Sequence, residues 1–343
     1  MTQILGLILL SFFIISVLLV PFINYLYKLK FIRQKQTTRD IFEVRTPIFD
    51  KLHAHKIGTP VGGGALIVIV VSVLYLIVIN SISIFGVEQT SVYPFKQEFQ
   101  VILITFISFA ALGLYDDLRK TFALKRAKFW GLRFRYKFLI QWILGLAIAS
   151  YLYWGLGIDL VNIRFFDVID LGILYVPFAA FTIVSFANAV NISDGLDGLA
   201  TGLLLICLLA FLVISRSILD TTLSIFIGLW IGSLIAFLYF NVWPARIWLG
   251  DVGALSFGAT LAVCGLLLGK PIALGVIGGM FILEVMSSLV QLFSKKIFKK
   301  KLFDVAPLHL WLQNKGWEES KIVFRFLLAQ TMFAIFGLWL SFF

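Results

Sequence analysis

The stretch Asn188–Gly202, NAVNISDGLDGLATG, carries two aspartates and two asparagines between apolar runs long enough to cross a bilayer. An aspartate at the centre of a membrane helix costs about 2.5–3.5 kcal/mol. Asp194 and Asp197 are therefore expected to face water, a cation or a substrate rather than lipid. Three residues apart, the two carboxylates would share one face of a helix.

The rest of the chain supports a membrane setting. Its 343 residues are 60% hydrophobic and 14% charged, with a mean hydropathy of +0.99, whereas soluble domains are about 45–50% apolar and 25% charged. Ten apolar runs reach or approach the roughly 20 residues a spanning helix needs. They lie at about 4–26, 62–84, 101–115, 136–155, 172–187, 198–214, 223–240, 253–268, 272–292 and 322–341. The expected fold is an all-α integral membrane protein of about ten transmembrane helices, a single polytopic domain over residues 1–343. The first run lacks a basic leader and a small-residue cleavage pattern, which points to a retained helix. With two Cys and three His, the chain has neither a disulfide framework nor a Cys/His zinc site.

When the loops are assigned alternately to the two sides, all but four of the 29 Lys and Arg residues fall together, at 28–56, 119–137, 246 and 295–325. By the positive-inside rule that side is cytoplasmic and both termini are outside. The net charge of +11 is then a basic cytoplasmic face. Such a face sets topology, attracts anionic membrane lipid and draws in a phosphate-bearing substrate. No nucleic-acid partner is expected.

All the acidic motifs share that cytoplasmic side. The third run ends in GLYDDLRK, where Asp116 and Asp117 fit either a solvated helix boundary or a Mg²⁺ site. Mg²⁺ prefers oxygen ligands and usually takes one or two carboxylates plus substrate phosphates. The basic residues from Lys125 through Arg133, Arg135 and Lys137 offer counter-charges for phosphates. In NVWPARIWLGDVG, Asp251 stands just before an apolar run, and Trp248 is either a stacking platform for a base or an interfacial anchor. His53 and His55 precede a glycine cluster, Gly62–Gly64, that would either approach a phosphate or pack helices closely. Glu284 and Gln291, seven residues apart, read as a buried, hydrogen-bonded helix contact. The loop 156–171 and Asp220 read as solvated connectors on the other side. Carboxylates from three distant segments at one membrane depth raise one another's pKa unless a cation compensates. This arrangement points to Mg²⁺-dependent phosphate chemistry at the cytoplasmic interface.

GLYDDLRK, NAVNISDGLDGLATG, FNVWPARIWLGDVGALSFG and APLHLWLQNKGW, together with KIGTPVGGG, resemble the motifs of the bacterial phospho-N-acetylmuramoyl-pentapeptide transferases. These belong to the polyprenyl-phosphate N-acetylhexosamine-1-phosphate transferase superfamily, and the resemblance runs from about residue 50 to the end. It implies ten transmembrane helices in the bacterial plasma (inner) membrane, an active site at the cytoplasmic face, and a homodimer. It further implies transfer of phospho-MurNAc-pentapeptide from UDP-MurNAc-pentapeptide to undecaprenyl phosphate, giving lipid I and UMP in peptidoglycan synthesis, with Mg²⁺. By the same resemblance Asp116 is the base, supported by Asp117, and Asp251 is a metal ligand, with Asp116 and Asp117 also near the metal. Lys56, Asn188, Asn191, Asp194, Asp197 and Asn241 would hold the nucleotide sugar, Trp248 would lie against uracil, and Lys120 and Lys137 would contact phosphates. The family's triple histidine reads His309-Leu310-Trp311 here, so only its first member remains for substrate binding. That departure leaves a UDP-N-acetylglucosamine transferase of the same superfamily as the alternative. KIGTP and APLH…KGW favour the muramoyl branch.

Overall fold

An apolar segment in lipid has no water to satisfy its backbone, so its N–H and C=O groups must pair within the segment. The computed structural model, which describes residues 2–33, 47–52, 56–81, 90–122, 134–163 and 167–342, accordingly turns the apolar runs into helices. In order these are α1 (Thr2–Lys28), α2 (Pro47–Leu52), α3 (Gly63–Ser81), α4 (Phe95–Phe122), α5 (Phe134–Ser150), α6 (Tyr175–Ser193) and α7 (Leu199–Ser217). There follow α8 (Thr221–Asn241), α9 (Gly250–Leu267), α10 (Pro271–Ile277), α11 (Gly279–Ile297), α12 (Leu308–Asn314) and α13 (Glu319–Phe342). Among the described residues nine helices are long and apolar enough to cross a membrane. The chain is a multi-pass membrane protein.

The structure departs from the sequence expectation at three places. The run expected at 272–292 is not one rod, because α10 and α11 meet at a 77° bend at Gly278. Gly275, Gly278 and Gly279 crowd that point, and glycine costs about 1 kcal/mol each in a helix interior. The 156–171 connector contains an antiparallel hairpin, β1 (Leu160–Ile163) and β2 (Asp167–Asp170), with Leu160 opposite Asp170. Asp220 is fully buried instead of solvated. Its carboxylate accepts the Leu223 N–H at 2.9 Å and caps the start of α8, satisfying a donor that a helix N-terminus leaves orphaned.

The bundle is built around α9, in which every residue from Val252 to Leu267 is buried. A cluster of Phe106, Phe226, Trp230 and Phe257, with ring centroids 5.2–5.7 Å apart, pins α4 and α8 to it. By contrast α1 and α13 present Phe13, Val17, Phe324 and Met332 outward, as helices bordering lipid do. Two close approaches fix the end of the bundle where α9 begins. A Cβ on Gly113 would lie 2.2 Å from the carbonyl oxygen of Asp251, and one on Gly64 2.3 Å from Cα of Gly253. Backbone therefore touches backbone, and side chains at the start of α9 are held rigidly against α4 and α3.

Gly113→Ala forces α4 away from α9 and should cost about 1–3 kcal/mol, the usual range for overpacking. The expected result is a lower melting temperature in detergent together with weakened activity; an unchanged melting temperature would show that the two backbones are not in contact.

Candidate active site

Adjacent residues on a helix point about 100° apart, so Asp116 and Asp117 at the end of α4 serve different partners. Asp117 turns to α9, where its Oδ2 accepts the Val252 N–H at 3.0 Å, an anion placed on the positive end of a helix. Asp116 turns to two cations, Lys120 Nζ at 3.0 Å and Lys137 Nζ at 3.0 Å. Both lysines also reach Asp251 in the first turn of α9, Lys120 at 2.8 Å and Lys137 in a second ion pair. Asn191 of α6 donates to the other oxygen of Asp251 at 3.1 Å. Side chains from α4, α5, α6 and α9 thus converge on one lattice of alternating charge. Asn188, one turn earlier on α6, donates to Gln141 at 2.7 Å and joins α6 to α5 behind that lattice.

A second polar cluster lies in the loops around it. Lys56 is buried and donates to Gly195 O at 3.1 Å, Asp197 Oδ1 at 3.0 Å and Glu319 Oε1 at 2.6 Å. The same Glu319 oxygen accepts the Asp197 N–H at 2.7 Å, and Asp197 Oδ2 accepts the Ala245 N–H at 2.9 Å. Trp248 has two cations over its ring, Lys56 Nζ at 4.8 Å and the Arg33 guanidinium at 5.0 Å from the centroid. Asn241 is buried; it accepts from Thr201 at 2.8 Å and donates to Ile247 O at 2.9 Å. Its amide shapes the loop carrying Trp248 and does not join the charged lattice.

His309 is held by Glu284, Nδ1 to Oε2 at 2.6 Å and backbone N–H to Oε1 at 3.2 Å. Its Nε2 packs so closely on Gly195 that a Cβ there would lie 2.3 Å away. Gln291 accepts the N–H groups of Leu302 and Phe303 at 2.9 Å each. Glu284 and Gln291 therefore form the buried, hydrogen-bonded contact read from their spacing. Asp194, half-buried at the end of α6, has its carboxyl held well above the usual range by burial and then by Asp251, against the opposing pull of Lys56.

Glycosyl transferase family 4 matches residues 99–269, a span that contains Asp116, Asp117, Asn191, Asp194 and Asp251. Over 92% of its length this chain is 34% identical to a phospho-N-acetylmuramoyl-pentapeptide-transferase from Caldanaerobacter subterraneus subsp. tengcongensis, covering 91% of that protein. It is 36% identical over 83% of its length to the protein of that name from Borrelia hermsii, covering 82% of it. With the Clostridium acetobutylicum protein of that name the identity is 33% over 94% of both chains. The chain belongs to the phospho-N-acetylmuramoyl-pentapeptide transferase family.

In this family member the acids of the lattice suit a hard cation in donor chemistry, since Asp116, Asp117 and Asp251 offer only oxygen. Among the described residues, however, no three acidic, His or Cys side chains converge on one point. The ammonium groups of Lys120 and Lys137 take up the carboxylate oxygens instead. Lys120 is 44% exposed and Lys137 13%, so Lys120 is the more open of the two to solvent. His53, His55 and the basic residues from Lys125 through Arg133 lie outside the described residues.

Two residues of the site escape the sequence motifs. Glu319 has only a weak signal, an acid in the first turn of an apolar helix, which the helix dipole alone would explain. Arg33 has none, being one of many basic residues in its loop.

Glu319→Ala leaves Lys56 and the Asp197 turn with one acceptor fewer in a buried setting and should cost about 3 kcal/mol or more. Glu319→Gln, which keeps an accepting oxygen, should cost less; equal melting temperatures for the two variants would contradict this. Asp194→Asn removes a charge that folding disfavours and should raise the melting temperature without added metal while lowering turnover.

Proposed function

We propose that this chain transfers phospho-MurNAc-pentapeptide from UDP-MurNAc-pentapeptide to undecaprenyl phosphate at the cytoplasmic face of a bacterial plasma membrane, forming lipid I and UMP. The observation that carries this reading is the sharing of Lys120 and Lys137 between Asp116 and Asp251. Four charged groups from three helices converge at helix ends, where a polyprenyl tail in the bilayer and a nucleotide in the cytosol can both arrive. Family membership supports the substrate pair, as do the KIGTP and APLH…KGW segments.

In the reaction an oxygen of the lipid phosphate attacks the β-phosphorus of the nucleotide sugar. The bond from that phosphorus to the bridging oxygen breaks, and UMP leaves with the electron pair. Asp116 accepts the proton of the lipid phosphate. Asp117, fixed on the N-terminus of α9, keeps α4 and α9 in register so that Asp116 and Asp251 face the same space. Lys120 and Lys137 move from carboxylate to phosphate oxygens as charge develops there, and such positioning and charge compensation account for most of phosphoryl-transfer catalysis. Asp116 and Asp251, which share the two lysines, are the acids that would hold Mg²⁺, with Asp117 supporting them from the α9 N-terminus; the ion would neutralise phosphate charge.

Asn191 and Asp194 face the nucleotide sugar, Trp248 takes the uracil, and His309 contacts the sugar side across Gly195. Lys56, Asp197, Asn188 and Asn241 act mainly by holding these loops, given the partners they already have. Both termini lie outside, and the working unit is a homodimer.

With both substrates in detergent, UMP release should require Mg²⁺, stop on chelation and return when the ion is restored. Asp116→Asn and Asp251→Asn should each reduce turnover on the order of 100-fold or more. Turnover should be far faster with UDP-MurNAc-pentapeptide than with UDP-N-acetylglucosamine; the reverse preference would transfer the chain to the other branch of the superfamily. Single cysteines placed beside Asp116, Asp194 and Asp251 should all be labelled from the cytoplasmic side, and labelling from opposite sides would exclude the reading.

A further inference from the structure

Among the described residues four cations border the site, and three of them are paired with carboxylates in the resting structure. An ammonium group has three N–H donors, and those of Lys56 go to Gly195 O, Asp197 and Glu319. Lys120 and Lys137 are shared between Asp116 and Asp251. Arg33 differs. Among the described residues no carboxylate stands within ion-pair distance of its guanidinium, which lies over the Trp248 ring and is only half-buried. Its backbone, by contrast, is fixed to the loop that carries Lys56. The Arg33 N–H donates to Thr59 O at 3.2 Å, its carbonyl accepts from Gly58 N at 2.9 Å, and Ile32 bridges to Pro60. The guanidinium also feels the charge of the site. Burial lowers its pKa, while Asp194, then Asp251 and then Asp50 act in the opposite direction.

We propose that Arg33 is a substrate-binding residue that takes the diphosphate of the nucleotide sugar. This rests on the reading that the donor is a UDP-sugar. A guanidinium presents a planar fork matched to phosphate oxygens and is weakly hydrated, so it leaves an aromatic face readily for a bidentate anion. The contact with Trp248 stores the charge beside the site in the absence of nucleotide. When the nucleotide arrives, the base takes the ring and the diphosphate takes the guanidinium. Lys56 cannot do this without abandoning the three acceptors that hold the Asp197 turn. The nearby acids explain why the fourth cation is needed, because a diphosphate entering between Asp194 and Asp251 meets negative charge on both sides.

The test is calorimetric titration of the purified full-length protein in detergent with UDP and, separately, with uridine, for the wild type, Arg33→Gln and Arg33→Lys. Arg33→Gln is expected to weaken UDP binding about tenfold or more while uridine binds as well as before. Arg33→Lys, which keeps the charge but loses the fork, should fall between. All three proteins should melt at the same temperature. Unchanged UDP affinity in Arg33→Gln overturns the proposal, as does an equal loss for UDP and uridine, which would mean that Arg33 only supports the ring. A wild type that binds neither ligand overturns the UDP-sugar reading and this proposal together, whereas a wild type that binds UDP and an Arg33→Gln variant that matches it removes Arg33 alone.

Discussion

Two ammonium groups between two carboxylates, Lys120 and Lys137 between Asp116 and Asp251, set the constraint on this molecule. Asp116 is buried and Asp251 nearly so, and an unpaired buried charge would be costly enough to drive its own neutralisation. Charges arranged in alternation can remain ionised there, and because each lysine has two acceptors, either can leave one acid without leaving it bare. The resting site is therefore electrostatically satisfied, and its cations are the groups to which the proposed reaction gives the phosphates. On that reading stability and chemistry draw on the same four side chains.

That lattice needs its acids at fixed separation, and the apolar part of the chain provides this. α9 is enclosed along its length and meets α4 and α3 without intervening side chains at Gly113 and Gly64. Helices in lipid gain little from apolar burial against one another and depend on close packing and hydrogen bonds. The glycine contacts thus bring the Asp251 backbone against α4, and Asp117, bonded to Val252 N, locks the same junction electrostatically. An acid bonded to a helix N-terminus is in this way as necessary to the geometry as the acids paired with the lysines.

Much of this was legible in the sequence. Apolar length predicts the helices because a lipid-embedded backbone has few alternatives, and intramembrane acids mark the site because they are expensive elsewhere. Two kinds of feature were not legible. Hydropathy averages over a window and does not register a bend at a single residue, so α10 and α11 read as one span. It also reads a short polar turn as solvated, although Asp220 is buried as a helix cap. Within the site, the motif residues Asn241 and Asp197 are bonded into the loops, while Glu319 and Arg33 join the site across more than a hundred residues of chain, a pairing that no local pattern encodes.

The departure at His309-Leu310-Trp311 follows from the same geometry. Of these three side chains, His309 alone is oriented by an acid, Glu284, and stands on Gly195 in the turn between Asp194 and Asp197. Leu310 is buried, and Trp311 packs edge-on against Phe303 at 5.9 Å, so both serve α12 and the loop before it. Apolar residues at those two positions thus anchor the loop that presents His309. On the proposed reading the nucleotide end of the donor falls to Trp248 and the cations over its ring, which stand on other loops. Any altered preference in this chain should therefore appear in the sugar and peptide portion of the donor and not in its uridine diphosphate.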